Sequence, residues 1–500
     1  MNDRAPSSAA AGHEDAERAW QRCAEPTCGA RYALDARLYV CPRCGGLLDV
    51  ESDFENLGDV RSLPNVWAMR RASPEARDRS GVWRFRELLP FDEAAPVVTL
   101  GEGNTPLYDA PRSAAYCRLD ALRLKHQGCN PTGSFKDTGM TSAVTQALVL
   151  GARTVVCAST GNTAASLAAY AARASLLCAI FVPRGQISHG KLAQSLDYGA
   201  RVLELDGNFD DAMRAVREAA EDESIYLVNS INPFRIEGQK TVAAEMLEQL
   251  AWAVPDHVVV PGGNLGNSSA LGKGFKELYD LGVIERLPRL SVVQAEGAAP
   301  FARMFAGEEE GPLDGRRAAE EVFEDSFRAV EHPHTLATAI KIGAPVSWKK
   351  ALRAVRWTGG RVVGVSEQEI ADAKAVIGRD GVGCEPASAT TVAGLKRLVA
   401  DGFVRPDESV VAVLTGHILK DADYVIDYHR GALRSRDLSS NGPEEGRSIE
   451  GTFANAPVRV AATREAILEQ LGRASRVADS PGEIDDQSGR GGSDSPRGVA

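Results

Sequence analysis

From Ala152 onward this chain alternates short apolar runs with helical stretches, and that alternation leaves few architectures open. Thr154–Cys157, Leu177–Val182, Arg201–Leu205 and Tyr226–Val228 read as strands. The Ala-rich stretch after Asn162, Gly190–Leu196 and Asn208–Ala220 read as helices; in the last, apolar residues recur at helical spacing after an Asp-Gly-Asn turn. Strands and helices in such alternation predict an α/β fold, with a parallel sheet covered by helices. In sheets of that kind ligands collect at the carboxyl ends of the strands.

Three segments carry candidate chemistry at such ends. The first, His126 to Asp137, places Lys136 after a Pro-Thr-Gly-Ser bend and before a helical run. A lysine held there is a candidate Schiff-base residue, because burial and neighbouring dipoles lower its pKa. The second, Ala158-Ser159-Thr160-Gly161-Asn162-Thr163, joins a strand to a helix start. Unpaired N–H groups and small hydroxyls make such a corner an anion site. The third, Pro261-Gly262-Gly263-Asn264-Leu265-Gly266-Asn267, comes after the strand-like His257–Val260. Its small residues let backbone N–H groups converge on phosphate oxygens. The spacing fits neither the dinucleotide fingerprint nor the Walker loop, so a single phosphate on a small aldehyde cofactor is the expectation.

The chain has 500 residues, enough for more than one domain, and a net charge of −11, which argues against a general nucleic-acid binder. No apolar run is long enough for a transmembrane helix, and residues 1–18 lack a secretory apolar core. A cytoplasmic enzyme is expected. Of nine cysteines, Cys23, Cys28, Cys41 and Cys44 form two close pairs around a β-like run, Arg31 to Val40. That pattern suits structural zinc held by four thiolates; disulfides fit poorly with a cytosolic setting.

The three segments resemble the β-family of tryptophan-synthase-like pyridoxal-phosphate enzymes and, within it, the threonine synthases. Asn229 to Lys240, Leu336 to Gly343, Cys384 to Ala389 and Leu414 to Asp421 are similar in the same order. The resemblance runs from about Thr99 to about Asp421. It departs after the Lys-Asp pair, where many members have Arg and this chain has Thr138.

The resemblance implies two α/β domains of the tryptophan-synthase β-like fold, with the cofactor in the cleft between them and a homodimer as the assembly. Lys136 would carry the cofactor and serve as proton-transfer base. Gly262, Gly263, Asn264, Leu265, Gly266 and Asn267 would take its phosphate, Asn162 the ring's 3-oxygen and Thr415 the pyridine nitrogen. Ser159, Thr160 and Thr163 would bind the substrate carboxylate. Asn229, Ser230 and Arg235, with Lys191, would bind the phosphate of O-phosphohomoserine. Lys240 reads as structural. The implied reaction is loss of phosphate from Cγ and then addition of water at Cβ, giving threonine. Alternatives on the same residues are a cysteate-synthase-like or other pyridoxal-phosphate enzyme, or a non-catalytic binding protein built on the ribbon. A threonine dehydratase would need no second phosphate pocket.

The expected organisation is then a disordered N-terminus (1–18), a zinc-ribbon-like module (20–52), and a catalytic body (53–430) with a smaller α/β domain inserted at about 150–240. Next comes an appendage (431–473), in which Pro457–Val460 reads as a short strand and Thr463 as the cap of a helix carrying Ile467, Leu468 and Leu471. A disordered tail (474–500) ends the chain.

Overall fold

The computed structural model describes residues 18–55, 57–184, 189–306, 327–435 and 446–478. Both termini assigned to disorder, apart from Arg18 and Ala474–Ala478, lie outside these residues. Residues up to Ala454 form one compact unit and those from Asn455 a second.

The first unit holds three main sheets. Ala19–Cys23 (β1), Arg31–Tyr32 (β2) and Leu48–Ser52 (β3) make an antiparallel sheet in the order β2-β1-β3. Leu107–Asp109 (β4) and Arg123–His126 (β5) belong to a six-stranded sheet. Thr154–Ala158 (β6), Leu177–Pro183 (β7), Arg201–Leu205 (β8) and Ile225–Leu227 (β9) form a four-stranded parallel sheet, ordered β8-β7-β6-β9. His257–Pro261 (β10), Arg289–Ala295 (β11), Val362–Val365 (β12) and Val410–Leu414 (β13) complete the larger sheet, ordered β12-β11-β10-β13-β5-β4. Only its edge strand β4 runs antiparallel. β10 and β13 are buried at every residue, as strands covered by helices on both faces must be.

The four strands read between Thr154 and Val228 are present within a residue or two of the expected ends. The run Arg31 to Val40 is not a continuous strand. Pairing stops at Tyr32, because buried Gln21 of β1 donates to the carbonyls of Ala33 (3.1 Å) and Ala36 (2.6 Å) and draws the chain into a loop. Two helices, Lys136–Val149 and Phe234–Gln249, cross closely. A Cβ on Gly238 would lie 1.9 Å from the Thr138 carbonyl, and one on Gly139 would lie 2.7 Å from the Arg235 carbonyl. Thr138 is buried in this crossing and donates to the Phe135 carbonyl (2.8 Å). Lys240 pairs with Glu237 (2.6 Å) and Glu277 (2.8 Å), a buried structural cluster.

The ribbon sheet docks through charges. Asp49 meets Lys350 (2.6 Å) and Arg353 (2.5 Å) on the Trp348–Thr358 helix, and Lys349 of that helix meets Glu25 (2.7 Å). The two cations hold the half-buried Asp49 carboxyl well below the usual range against the cost of its desolvation.

In the second unit Thr463 caps a helix, accepting from the Ala466 N–H (3.3 Å), and the helix runs Arg464–Ala478, past the residue where the tail was expected to begin. Pro457–Val460 forms no strand: no neighbouring strand pairs with it among the described residues. An alternating run without a partner leaves its backbone groups to water. No described helix is long and apolar enough to cross a membrane.

Candidate active site

Parallel register brings the informative loops to one edge of each sheet. In the large sheet β5, β10 and β13 end at His126, Pro261 and Leu414, so the lysine loop, the glycine-rich loop and Thr415 all leave the carboxyl edge. In the small sheet β6 and β9 deliver Ser159–Asn162 and Val228–Ser230 to the corresponding edge. Two hydrogen bonds join these edges: Asn162 Nδ2 donates to Glu385 Oε2 (3.0 Å) and Asn264 Nδ2 to Ser230 Oγ (2.5 Å).

The lysine loop is pinned to the end of β13. Phe135 N–H donates to the Thr415 carbonyl and His417 N–H to the Gly133 carbonyl, both at 2.9 Å. Gly133 takes φ +84°, which the bend requires and a side chain resists. Asp137 closes the loop from inside, accepting from Thr132 N–H (2.7 Å), Thr132 Oγ1 (2.6 Å) and Ser166 Oγ (2.5 Å). Burial nevertheless raises its carboxyl to about 6. Lys136 is the first residue of its helix. Its amine lies over the Phe135 ring and makes no hydrogen bond among the described residues. Burial, then the Arg235 charge, lower it to about 7, with Glu385 opposing.

Arg235 is buried, makes one long hydrogen bond, to the Val228 carbonyl (3.4 Å), and leaves Nε without a partner. No carboxylate pairs with it among the described residues; Glu237, two residues on in sequence, is taken by Lys240 and Lys273. Burial lowers its guanidinium to about 10, still charged at neutral pH. A buried cation without a counter-ion is costly, and an anionic ligand would relieve that cost.

The glycine-rich loop ends at the N-terminus of the Gly266–Asp280 helix, which no side chain caps. Leu265 takes φ +63°, unusual for a bulky residue, and turns the loop into that helix. Both amide atoms of Asn267 and the Ser268 hydroxyl are buried there without partners among the described residues. Orphaned donors at a helix N-terminus fit a phosphate. A Cβ on Gly262 would lie 2.7 Å from Val292 Cγ1, and one on Gly263 3.1 Å from Ile340 Cγ2. Asn264 is committed elsewhere, to Ser230 and to the Val346 N–H (2.6 Å), and so shapes the loop.

Ser159, Thr160, Gly161, Asn162 and Thr163 are all half-buried around the uncapped start of the Asn162–Arg173 helix. The hydroxyls of Thr160 and Thr163 make no hydrogen bond among the described residues, whereas Ser159 Oγ accepts from Gly161 N–H (3.2 Å). Asn229 meets the same corner from the end of β9. Its Oδ1 accepts from Ala158 N–H (2.9 Å) and its Nδ2 donates to the Ala158 carbonyl (3.0 Å), which ties the two loops together. Lys191 falls in the His189–Asp197 helix, but its side chain is outside the described residues.

Glu385 and Ser388 received no role from the sequence. Ser388 Oγ accepts from the N–H groups of Thr415 (2.8 Å) and Gly416 (3.1 Å) and lies 3.1 Å from Thr415 Oγ1. Buried Glu385 accepts from Thr415 Oγ1 (3.3 Å) as well as from Asn162. A Cβ on Gly416 would fall 2.3 Å from its carboxylate, so the glycine makes room for the charge. One acidic residue among the small and apolar ones of Cys384 to Ala389 was the available signal.

In the ribbon the four Sγ atoms of Cys23, Cys28, Cys41 and Cys44 lie within 4.8 Å of one another, and none is in a disulfide. Cys23 and Cys44 lie 3.4 Å apart and Cys28 and Cys41 3.7 Å, close to the roughly 3.8 Å that tetrahedral zinc–thiolate bonds impose.

Residues 98–416 match the family model described as pyridoxal-phosphate dependent enzyme. The chain is 45% identical over 407 residues to threonine synthase of Methanocaldococcus jannaschii, covering 81% of this chain and 94% of that protein. It is 46% identical over 341 residues to threonine synthase of Mycobacterium bovis, covering 68% and 88%. The chain belongs to the pyridoxal-phosphate-dependent enzymes, among the threonine synthases. Among solved structures, the processed form of threonine deaminase isoform 2 from Solanum lycopersicum superposes with a TM-score of 0.53 at 19% identity, over 72% of this chain and 85% of that one. Maize serine racemase gives 0.52 at 21%, over 63% and 88%. At these identities the likeness is one of fold.

Proposed function

We propose that this protein is a threonine synthase, converting O-phospho-L-homoserine and water to L-threonine and phosphate in the cytoplasm, as a homodimer. The observation that carries the reading is the buried Arg235, which has no carboxylate partner among the described residues and lies within electrostatic reach of Lys136. A phosphorylated substrate needs an anion clamp beyond the one for the cofactor phosphate, and a dehydratase would not. Arg suits it, presenting a planar fork to phosphate oxygens.

Lys136 would hold pyridoxal phosphate, the Gly262–Asn267 loop with Asn267 and Ser268 its phosphate, and Thr415 and Asn162 its ring. When bound, this cofactor supplies the electron sink that makes the α-proton of an amino acid removable. Lys136, its amine freed when the substrate's amine takes its place, takes that proton, passes it on, and only then takes one from Cβ. Arg235, with Ser230, holds the phosphate of the substrate. Thr160 and Thr163, with the free N–H groups behind them, hold the substrate carboxylate. Water adds at Cβ, Cγ gains a proton, and Lys136 returns one to Cα. The half-buried corner must shut during this sequence to keep water out until its turn.

The test is threonine and phosphate formation from O-phosphohomoserine, with Lys136→Ala beside it. Both products in equal amounts, falling at least about 10²–10⁴-fold in the variant, are expected. Cofactor binding without turnover, and then turnover of O-phosphoserine with sulfite, would move the assignment to a cysteate-type enzyme. The cysteine cluster we read as a structural zinc site; native protein without tightly held zinc would refute that.

A further inference from the structure

The loop between the two cysteine pairs reaches the substrate corner from behind. β9 is an edge strand: among the described residues it pairs only with β6, and its outward backbone groups need other partners. Asn232 Nδ2 donates to the Leu227 carbonyl (2.9 Å), and two ribbon side chains take the Leu227 N–H and the Ile225 carbonyl. Tyr39 Oη accepts from the Leu227 N–H (2.8 Å), and Arg37 Nη1 donates to the Ile225 carbonyl (3.3 Å) and to that of Glu223. Arg37 Nη2 also donates to the Leu150 carbonyl (3.0 Å), and the Tyr39 ring packs on Tyr226 at 5.8 Å. The loop itself is held by Gln21 at the Ala36 carbonyl (2.6 Å).

The residues just beyond β9 make this grip consequential. Leu227 leads directly into Val228, whose carbonyl receives Arg235, then Asn229, whose amide clamps Ala158, then Ser230, which receives Asn264. Three features of the substrate side therefore hang on a strand end that the ribbon fixes. We propose that Tyr39 and Arg37 are positioning residues for substrate binding: they set the Val228–Ser230 segment, and through it Arg235 and the Ser159–Thr163 corner, without touching substrate. This rests on the threonine-synthase reading for the identity of the substrate, but not for the positioning itself.

The experiment compares Tyr39→Phe, Arg37→Ala and Arg37→Lys holoenzymes with wild type. Tyr39→Phe keeps the ring against Tyr226 and removes one acceptor. Losing one hydrogen bond of this kind predicts a KM for O-phosphohomoserine raised about three- to tenfold, with kcat within twofold and unchanged cofactor absorbance. Arg37→Ala should do at least as much, with Arg37→Lys restoring part of it. Amide hydrogen exchange over residues 227–232 should quicken in Tyr39→Phe and Arg37→Ala while the β10 and β13 amides keep their protection. Wild-type KM together with wild-type exchange in Tyr39→Phe would overturn the proposal, as would quickened exchange across the whole body, the mark of mere destabilisation. If wild type does not turn over O-phosphohomoserine, the functional reading fails while the exchange result still decides the positioning.

Discussion

Two corners of this molecule are built on one plan and finished differently. Each joins a buried parallel strand, β6 or β10, through a glycine-containing loop to an uncapped helix. At Gly262–Ser268 the loop is sealed: Gly262 and Gly263 lie against Val292, Gln294 and Ile340, and the polar groups of Asn267 and Ser268 are buried without partners among the described residues. At Ser159–Thr163 every residue is half-buried, and a Cβ on Gly161 would meet nothing within 4 Å. A sealed anion site suits a ligand that stays, and an open one suits a ligand that comes and goes. The same local motif thus acquires opposite exchange behaviour from the side chains packed around it.

That contrast is breakable by substitution. Gly262→Ala should have the larger effect, since its Cβ meets Val292 and Gln294 inside ordinary contact distance. Overpacking of this sort costs about 1–3 kcal/mol, and cofactor retention should weaken with stability, read by thermal unfolding and absorbance after dialysis. A variant that keeps both would show the corner to be softer than described. Between the corners, Lys136 should give a pH signature. Its amine is lowered to about 7, so the neutral, reactive form falls about tenfold per pH unit below that value. Cofactor capture by cofactor-free protein should rise with pH to a plateau above about 7, and Arg235→Ala, by removing a like charge, should move the midpoint upward. A midpoint near that of an ordinary lysine would mean that the amine sits in water. Gly161→Ala should be the mildest change, within about 0.5 kcal/mol in unfolding, with any effect confined to KM. A large stability loss there would erase the distinction between the corners.

The elements of both corners were legible because they depend on short-range chemistry. β-rich apolar runs, glycine turns and Ala-rich helices identify themselves within a few residues, and the four strands from Thr154 to Val228 appear at nearly the expected positions. Legibility failed where a residue's role depends on a distant partner. Asn229 reads as a substrate ligand in its motif, and nothing local shows that its amide also ties to Ala158. Glu385 reads as one residue before a helix, but its carboxylate spans Asn162 and Thr415. Pro457–Val460 has strand composition and, among the described residues, no strand to pair with.

By itself, then, the sequence determined the strand–loop–helix corners, the nucleophilic lysine and the four-cysteine cluster, because each is written in contiguous or closely spaced residues whose backbone geometry is local. The tertiary structure decided which anion corner is sealed and which is open. It also decided that Arg235 has no counter-ion among the described residues and that the ribbon holds the edge of the sheet behind the substrate corner. Burial, charge pairing and edge capping are properties of surfaces brought together by folding, and no local pattern encodes them.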